Sequence, residues 1–322
     1  MKLGVMTALF ADKSLDEMLK YSKDSGLDAV EMCVGAYPGM PHLDVPAMLK
    51  DGGKVKEFKD KVAAAGLEVS AFSCHGNPLH PNKAIADDHL AAHRNAVLIA
   101  EKCGVDVVIN FSGCPGDSDS AKYPNWVTCP WPDDFTEIVN WQWEKKLIPF
   151  WKEQAKFAAD HGVKVAFEMH PGFCVYNTET LLRLRAECGD ALGANFDPSH
   201  LFWQGMDPLV SVRAIGKAKA LFHVHAKDCL VDPQNGALNG VLDTKSYGDE
   251  INRSWIFRTV GYGHGEGFWR NFVSELRLAG YDGVLSIEHE DSLMSVDEGF
   301  GKAVAFLKDV LLYQSPGKMY WA

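Results

Sequence analysis

Four residues hold the pattern richest in chemistry. Glu168, Asp197 and His225 stand where short apolar runs stop, at nearly constant spacing, and Glu288 follows after a gap lengthened by about one inserted loop. Three carboxylates and an imidazole form a mixed oxygen and nitrogen donor set. Such a set suits Mn²⁺, Mg²⁺, Co²⁺ or Zn²⁺ and lacks the thiolates of a softer site. Clustered carboxylates also repel one another unless a cation stands among them. One divalent ion, with Mn²⁺ the leading candidate, is therefore the expectation. A single carboxylate after a strand is ordinarily a solvated loop residue or a helix cap, as the Asp197-Pro198 pair would permit. Recurrence on successive runs is what separates these four from that background. His223 shares a strand face with His225, because side chains alternate with period 2, and His225 is favoured because it lies nearer the run's end. Glu31, His75, Asn110, His170, His200, Lys227, Asp228 and Glu290 extend the same pattern into a polar ring.

Such a ring needs a scaffold that brings many strand ends to one mouth. Eight apolar runs, at residues 3–6, 29–34, 68–73, 106–111, 164–169, 193–196, 221–225 and 283–287, supply the candidate strands. Between them lie helical patterns at 14–25, 53–65, 89–102, 140–161, 178–187, 268–279 and 296–311, with a weaker one at 208–217. Strict β-then-α alternation is solved by a closed barrel or by a doubly wound open sheet. The open sheet usually announces itself by a glycine-rich phosphate loop after a strand, and neither common form occurs here. The glycines at 261, 263 and 265 follow a long irregular stretch and read as a loop. The expected fold is an α/β (β/α)₈ TIM barrel, one domain over residues 1–322, with long loops after strands 4 and 7 at 113–139 and 229–263. Both loops fall on the C-terminal face, where barrel active sites lie. The first contains Tyr123, Trp126, Trp131 and Trp141, which either stack on apolar sugar faces or pack the loop against the rim.

Composition narrows the partners. A net charge of −11 opposes binding to a polyanion, so a small molecule is expected and nucleic acid is not. No apolar run reaches the length needed to span a bilayer, and the N-terminal residues lack a basic segment followed by a cleavage site. The reading is a cytoplasmic protein. Eight cysteines without a C-x-x-C pair suit buried free thiols in a reducing compartment.

Phe167-Glu168-Met169-His170-Pro171, Asn195-Phe196-Asp197-Pro198-Ser199-His200, His225-Ala226-Lys227-Asp228 and Ser286-Ile287-Glu288-His289-Glu290 resemble the xylose-isomerase-like barrel superfamily. That group, of sugar phosphate isomerase/epimerase type, includes tagatose/psicose 3-epimerases, inosose dehydratases and the large subunit of C-glycoside deglycosidases. The resemblance implies that Glu168, Asp197, His225 and Glu288 ligate the metal, and that Glu168 and Glu288 also form an acid/base pair. His170 is a further acid/base candidate, and His75, Asn110, His200, Lys227 and Arg258 are the candidate substrate contacts. Asp228 would pair with Lys227 rather than touch ligand.

The implied activity is isomerisation or epimerisation of a sugar or keto-sugar through an enediolate. The alternatives are a metal-dependent lyase that eliminates a leaving group from a 3-oxo-glycoside or inosose, and a non-catalytic sugar-binding barrel. A phosphate group on the substrate is not expected, because no basic cluster or phosphate loop is evident. The nuclease branch needs a histidine after strand 4 and an Asp-x-His in the second insertion, and both are absent. A homo-oligomer is expected, with a second small subunit as a variant of that expectation. The aromatic tail 313–322 is a candidate contact.

Overall fold

Strands buried on both faces read as unbroken apolar runs, and all eight runs form strands. The structure, a computed structural model, describes residues 1–321; Ala322, the last residue of the tail, lies outside them. The strands are Lys2–Met6 (β1), Ala29–Cys33 (β2), Glu68–Ser73 (β3), Val107–Asn110 (β4), Lys164–Glu168 (β5), Leu192–Phe196 (β6) and Leu221–Ala226 (β7), closed by Val284–Ile287 (β10). Each pairs in parallel with its neighbours, and β10 joins β7 to β1, so the sheet is a closed barrel with no free edge. Register sets the site: Glu168 pairs with Asn195, and His225 pairs with Ser286, so four successive strands present their polar ends together.

Local chemistry accounts for the helical ring. Ser14 caps Leu15–Asp24 and completes a reciprocal capping box with Glu17. Pro208–Lys217, the weakest helical pattern, is a full helix because Asp207 caps it and Pro208 occupies its first turn. Helical structure begins earlier than the pattern at 140–161 suggests. Asp133–Trp141 continues through a π turn, Gln142–Leu147, into Ile148–Asp160. The wide turn immediately precedes Pro149, which has no N–H to close the α-helical bond to Lys145.

The second insertion is more ordered than its irregular sequence suggests. Asp228–Val231 (β8) and Trp255–Arg258 (β9) form an antiparallel ribbon, with a short helix at Pro233–Asn239 between them. Asp228 does not pair with Lys227. Its buried carboxylate accepts hydrogen bonds from the backbone N–H groups of Cys229, Gly261, Gly263 and His264 and from the indole of Trp269. The chain thus leaves the barrel and returns to it at one anchor. Glycine is needed at 263, where a Cβ would stand 2.3 Å from the Cys229 carbonyl oxygen.

Candidate metal centre

Glu168 ends β5, Asp197 follows β6, His225 lies near the end of β7 and Glu288 follows β10. One donor atom from each lies within 4.8 Å of all the others. Inside the cluster His225 Nδ1 is 3.1 Å from a Glu168 oxygen and 3.0 Å from Glu288 Oε2, yet Nδ1 and Oε2 lack hydrogen-bond partners. Asp197 Oδ2 is likewise buried and unpartnered, although Lys227 Nζ is 3.2 Å away. Close approach without hydrogen-bond alignment is what donors around a common ion display. Ligands about 2.1 Å from one ion at right or tetrahedral angles sit roughly 3.0–3.4 Å apart. The residues therefore fit a divalent ion.

Two other groups could hold a metal by proximity alone, Glu31 with His223 and His225, and Glu168 with His170 and His200. Within both, most donor atoms already have protein partners, His170 Nε2 excepted. His225 Nε2 lies 2.9 and 3.1 Å from the two Glu31 oxygens, and His200 Nε2 is 3.0 Å from Glu168 Oε1. The Glu31 contact also selects the tautomer. A carboxylate accepts, so Nε2 carries the proton and Nδ1 presents its lone pair to the cluster. His223 is satisfied deeper in the barrel, with Nδ1 2.9 Å from Asn195 and Nε2 3.2 Å from Ser70.

Electrostatics point the same way. Burial alone would raise the Glu168 carboxyl, but the imidazoles of His75, His200 and His225 outweigh it and hold the carboxyl well below the usual range. Burial would lower His225, and the Glu31 and Glu288 charges outweigh it, so this imidazole is held well above its ordinary value and keeps a proton on Nδ1 that a bound cation would displace. Lys227 is kept charged against its own burial by Asp197, Glu288 and Glu290. Three carboxylates against one ammonium leave an excess of negative charge that a cation would balance.

The candidate substrate contacts divide. His75, Lys227 and His170 line a cavity of about 530 Å³ together with Glu168, Glu288 and Tyr37. His75 donates to Glu168 at 3.0 Å, and Lys227 sits 2.9 Å from Glu288 and 3.1 Å from Glu290. Asn110 and Arg258 are not among the lining residues. Asn110 is fully buried, its Oδ1 accepting from the N–H groups of Gly76 and Phe111 and its Nδ2 facing His93, so it ties strand ends together. Arg258, on β9, is paired with Asp291 at 3.1 Å. His170 Nδ1 is 2.6 Å from the Pro171 carbonyl, which can only accept; burial and His200 lower this imidazole to about 3, so it is neutral with Nε2 as the basic nitrogen. Acid donation to a leaving group, one of the roles open to His170, requires it first to gain a proton.

Three supporting residues carried no assigned role from the sequence. Glu31 braces His225, Asn195 donates to Glu168 at 3.2 Å, and Ser70 completes the chain through His223. Their polarity inside apolar strands was the available signal. Of the loop aromatics, Trp126 lines a cavity, whereas Tyr123 and Trp131 are exposed at the surface. No helix among the described residues is long and apolar enough to cross a membrane.

A closed (β/α)₈ barrel with a carboxylate and imidazole cluster at the C-terminal ends of its strands defines the class of protein. The sequence pattern of the xylose isomerase-like TIM barrel family matches residues 19–310, and the chain belongs to that family. An uncharacterized Bacillus subtilis protein, YfiH, is 37% identical over 314 residues, covering 97% of this chain and 99% of that one. Among solved structures, the Escherichia coli 3-keto-D-glucoside 4-epimerase YcjR superposes with a TM-score of 0.64 at 14% identity, over 96% of this chain and 99% of that one. The IolI protein, whose crystal structure carries a zinc atom, superposes with a TM-score of 0.63 at 17% identity, over 97% and 98%. At these identities the structural likeness speaks for the fold.

Proposed function

We propose that this protein is a divalent-metal-dependent isomerase or epimerase that removes a proton next to the carbonyl of a sugar or keto-sugar, through an enediolate. The observation that carries the reading is the set of buried, unpartnered donor atoms on Asp197, His225 and Glu288, gathered beside Glu168. These four residues would hold the ion. A divalent ion there supplies a Lewis acid for charge that develops on the carbonyl oxygen.

The protein's own groups then move the proton. Glu288 is the less confined carboxylate, with Lys227 2.9 Å away to steady its charge, and it takes the proton. Glu168, fixed by His75, His200 and Asn195, is the second carrier: held ionised at rest, it gains a proton from solvent and delivers it to the substrate, while the proton taken by Glu288 is released to solvent. His75 and Lys227 line the same cavity and orient substrate oxygens. YcjR acts on a 3-keto-D-glucoside, and a keto-sugar of that general kind suits this cavity.

Elimination is the second reading, and one observation favours it: His170 lines the same cavity with its Nε2 free of any protein hydrogen bond, as a base or relay near a leaving group would be.

Incubating Mn²⁺-loaded protein with keto-sugars in deuterated water tests the proposal. Deuterium should enter the carbon beside the carbonyl, cease with a chelator and resume with Mn²⁺. Undiminished exchange in metal-stripped protein would overturn the mechanism. An epimer or isomer among the products supports the first reading, and an unsaturated product the second.

A further inference from the structure

Beyond the metal centre, both insertions build a second cavity of about 390 Å³. Trp126 comes from the first insertion, Tyr247 and Trp255 from the second, and Trp203 from the turn after Ser199–Phe202. Trp203 and Trp255 stack nearly parallel, 4.7 Å between ring centroids. This cavity adjoins the metal site at two imidazoles. His170 lines both cavities, and His200 lines the second while its Nε2 touches Glu168. The rings of His170 and His200 are 4.2 Å apart.

Packing of the roof against the barrel explains why aromatics gather here, and Trp203, Trp255 and Phe257 do form a small core of their own. Packing does not explain why they leave a space of ligand size beside the cluster. The one carboxylate of the wall is spoken for. Asp243 accepts from the backbone N–H groups of Lys245 and Ser254, at 2.9 and 2.7 Å. A second sugar ring, ordinarily gripped by amide or charged side chains, finds none of these free in the wall. A planar apolar ring finds aromatic walls, and the indole N–H groups of Trp126 and Trp203, which have no protein acceptor, suit a ring that bears oxygen.

Resting on the keto-sugar reading for the metal lobe, we infer that the substrate is a keto-sugar carrying an aromatic substituent, and that this substituent occupies the second cavity. The substrate is thus a conjugate rather than a free monosaccharide. Burying one aromatic ring against such walls is worth about a 10- to 100-fold gain in affinity.

The test compares a free keto-hexose with its phenyl glycoside, measuring binding to Mn²⁺-loaded protein by calorimetry and tryptophan fluorescence. The phenyl compound should bind at least tenfold more tightly and quench fluorescence. Thr128→Trp, which fills the cavity from its exposed rim, and Tyr247→Ala, which removes a half-exposed wall, should each shrink the ratio of the two affinities within the same variant. Equal binding, failure of both compounds to bind, or an unchanged ratio in both variants would overturn the inference. Deuterium exchange run in parallel separates it from the mechanism. Tight phenyl-dependent binding without exchange would sink the mechanism alone, and exchange without phenyl preference would sink the second cavity alone.

Discussion

The two glutamates of the cluster are held in opposite ways. Glu168 is 2% exposed and receives His200 on one oxygen and His75 and Asn195 on the other. Behind it the brace continues through His223 to Ser70. Glu288 has a side chain 15% exposed, follows its strand rather than ending it, and has an oxygen with no hydrogen bond. Its neighbours are Lys227 and His225. A position specified by three donors is rigid, as a ligand must be; a position steadied by one ammonium that also serves Asp197 and Glu290 leaves more freedom to approach a substrate and withdraw. The cluster thus combines a fixed wall with an adjustable one.

The sharpest way to break this comparison is to neutralise each glutamate in turn. Glu168→Gln should cost about a thousandfold in kcat, because it removes a ligand charge and strands three donors together. Glu288→Gln should cost nearer a hundredfold, with metal retained better than in the first variant. Measuring kcat and bound metal in both decides it, and equal losses in both quantities would erase the distinction.

Glu31 tests the brace on the imidazole between the two walls. Its carboxyl, which burial would raise, is held down at about 2 by His225 and His223, so it stands ionised beneath the candidate ligand His225. Glu31→Gln should weaken metal binding about 10- to 100-fold, read by competition with a chromophoric chelator. Unchanged affinity would show that His225 needs no partner to keep its tautomer.

A separate effect, on stability rather than on the site, concerns support behind the fixed wall. His93 is fully buried, facing Asn110 and packed edge-on against Trp151, which in turn packs against Phe167. Burial, with a lesser effect of Arg94, lowers its imidazole from 6.5 to about 4. The unfolded chain therefore binds the proton more readily, so this contribution to stability is complete above pH 6.5 and is lost as pH falls toward 4. The loss amounts to about 3 kcal/mol. Denaturant titrations of the protein and of His93→Gln from pH 7 to 4 should diverge, the variant showing the shallower decline; parallel curves would remove His93 from the account.

Much of this architecture is legible in one dimension. Strand ends recur in order along the chain, so Glu168, Asp197, His225 and Glu288 could be read from spacing once eight apolar runs were counted. Properties that depend on distance across the barrel were not. Glu31 meets His225 although 194 residues separate them, and nothing near either residue records that contact. Asn110 looked like a ligand contact because it ends a strand, but its polar atoms turn toward Gly76, Phe111 and His93. Arg258 was similarly diverted by Asp291. The ribbon of β8 and β9 escaped notice because each strand has only four residues, too few for alternation to stand out.

Asp228 has a consequence for how such a protein can change over time. Because the second insertion leaves and rejoins the barrel on one carboxylate, the part of it between β8 and β9 can lengthen or shorten while both ends stay anchored. The insertion behaves as an exchangeable cassette, with a defined splice point one residue beyond Lys227. The roof is thereby free to diversify while the strand ends below keep their residues.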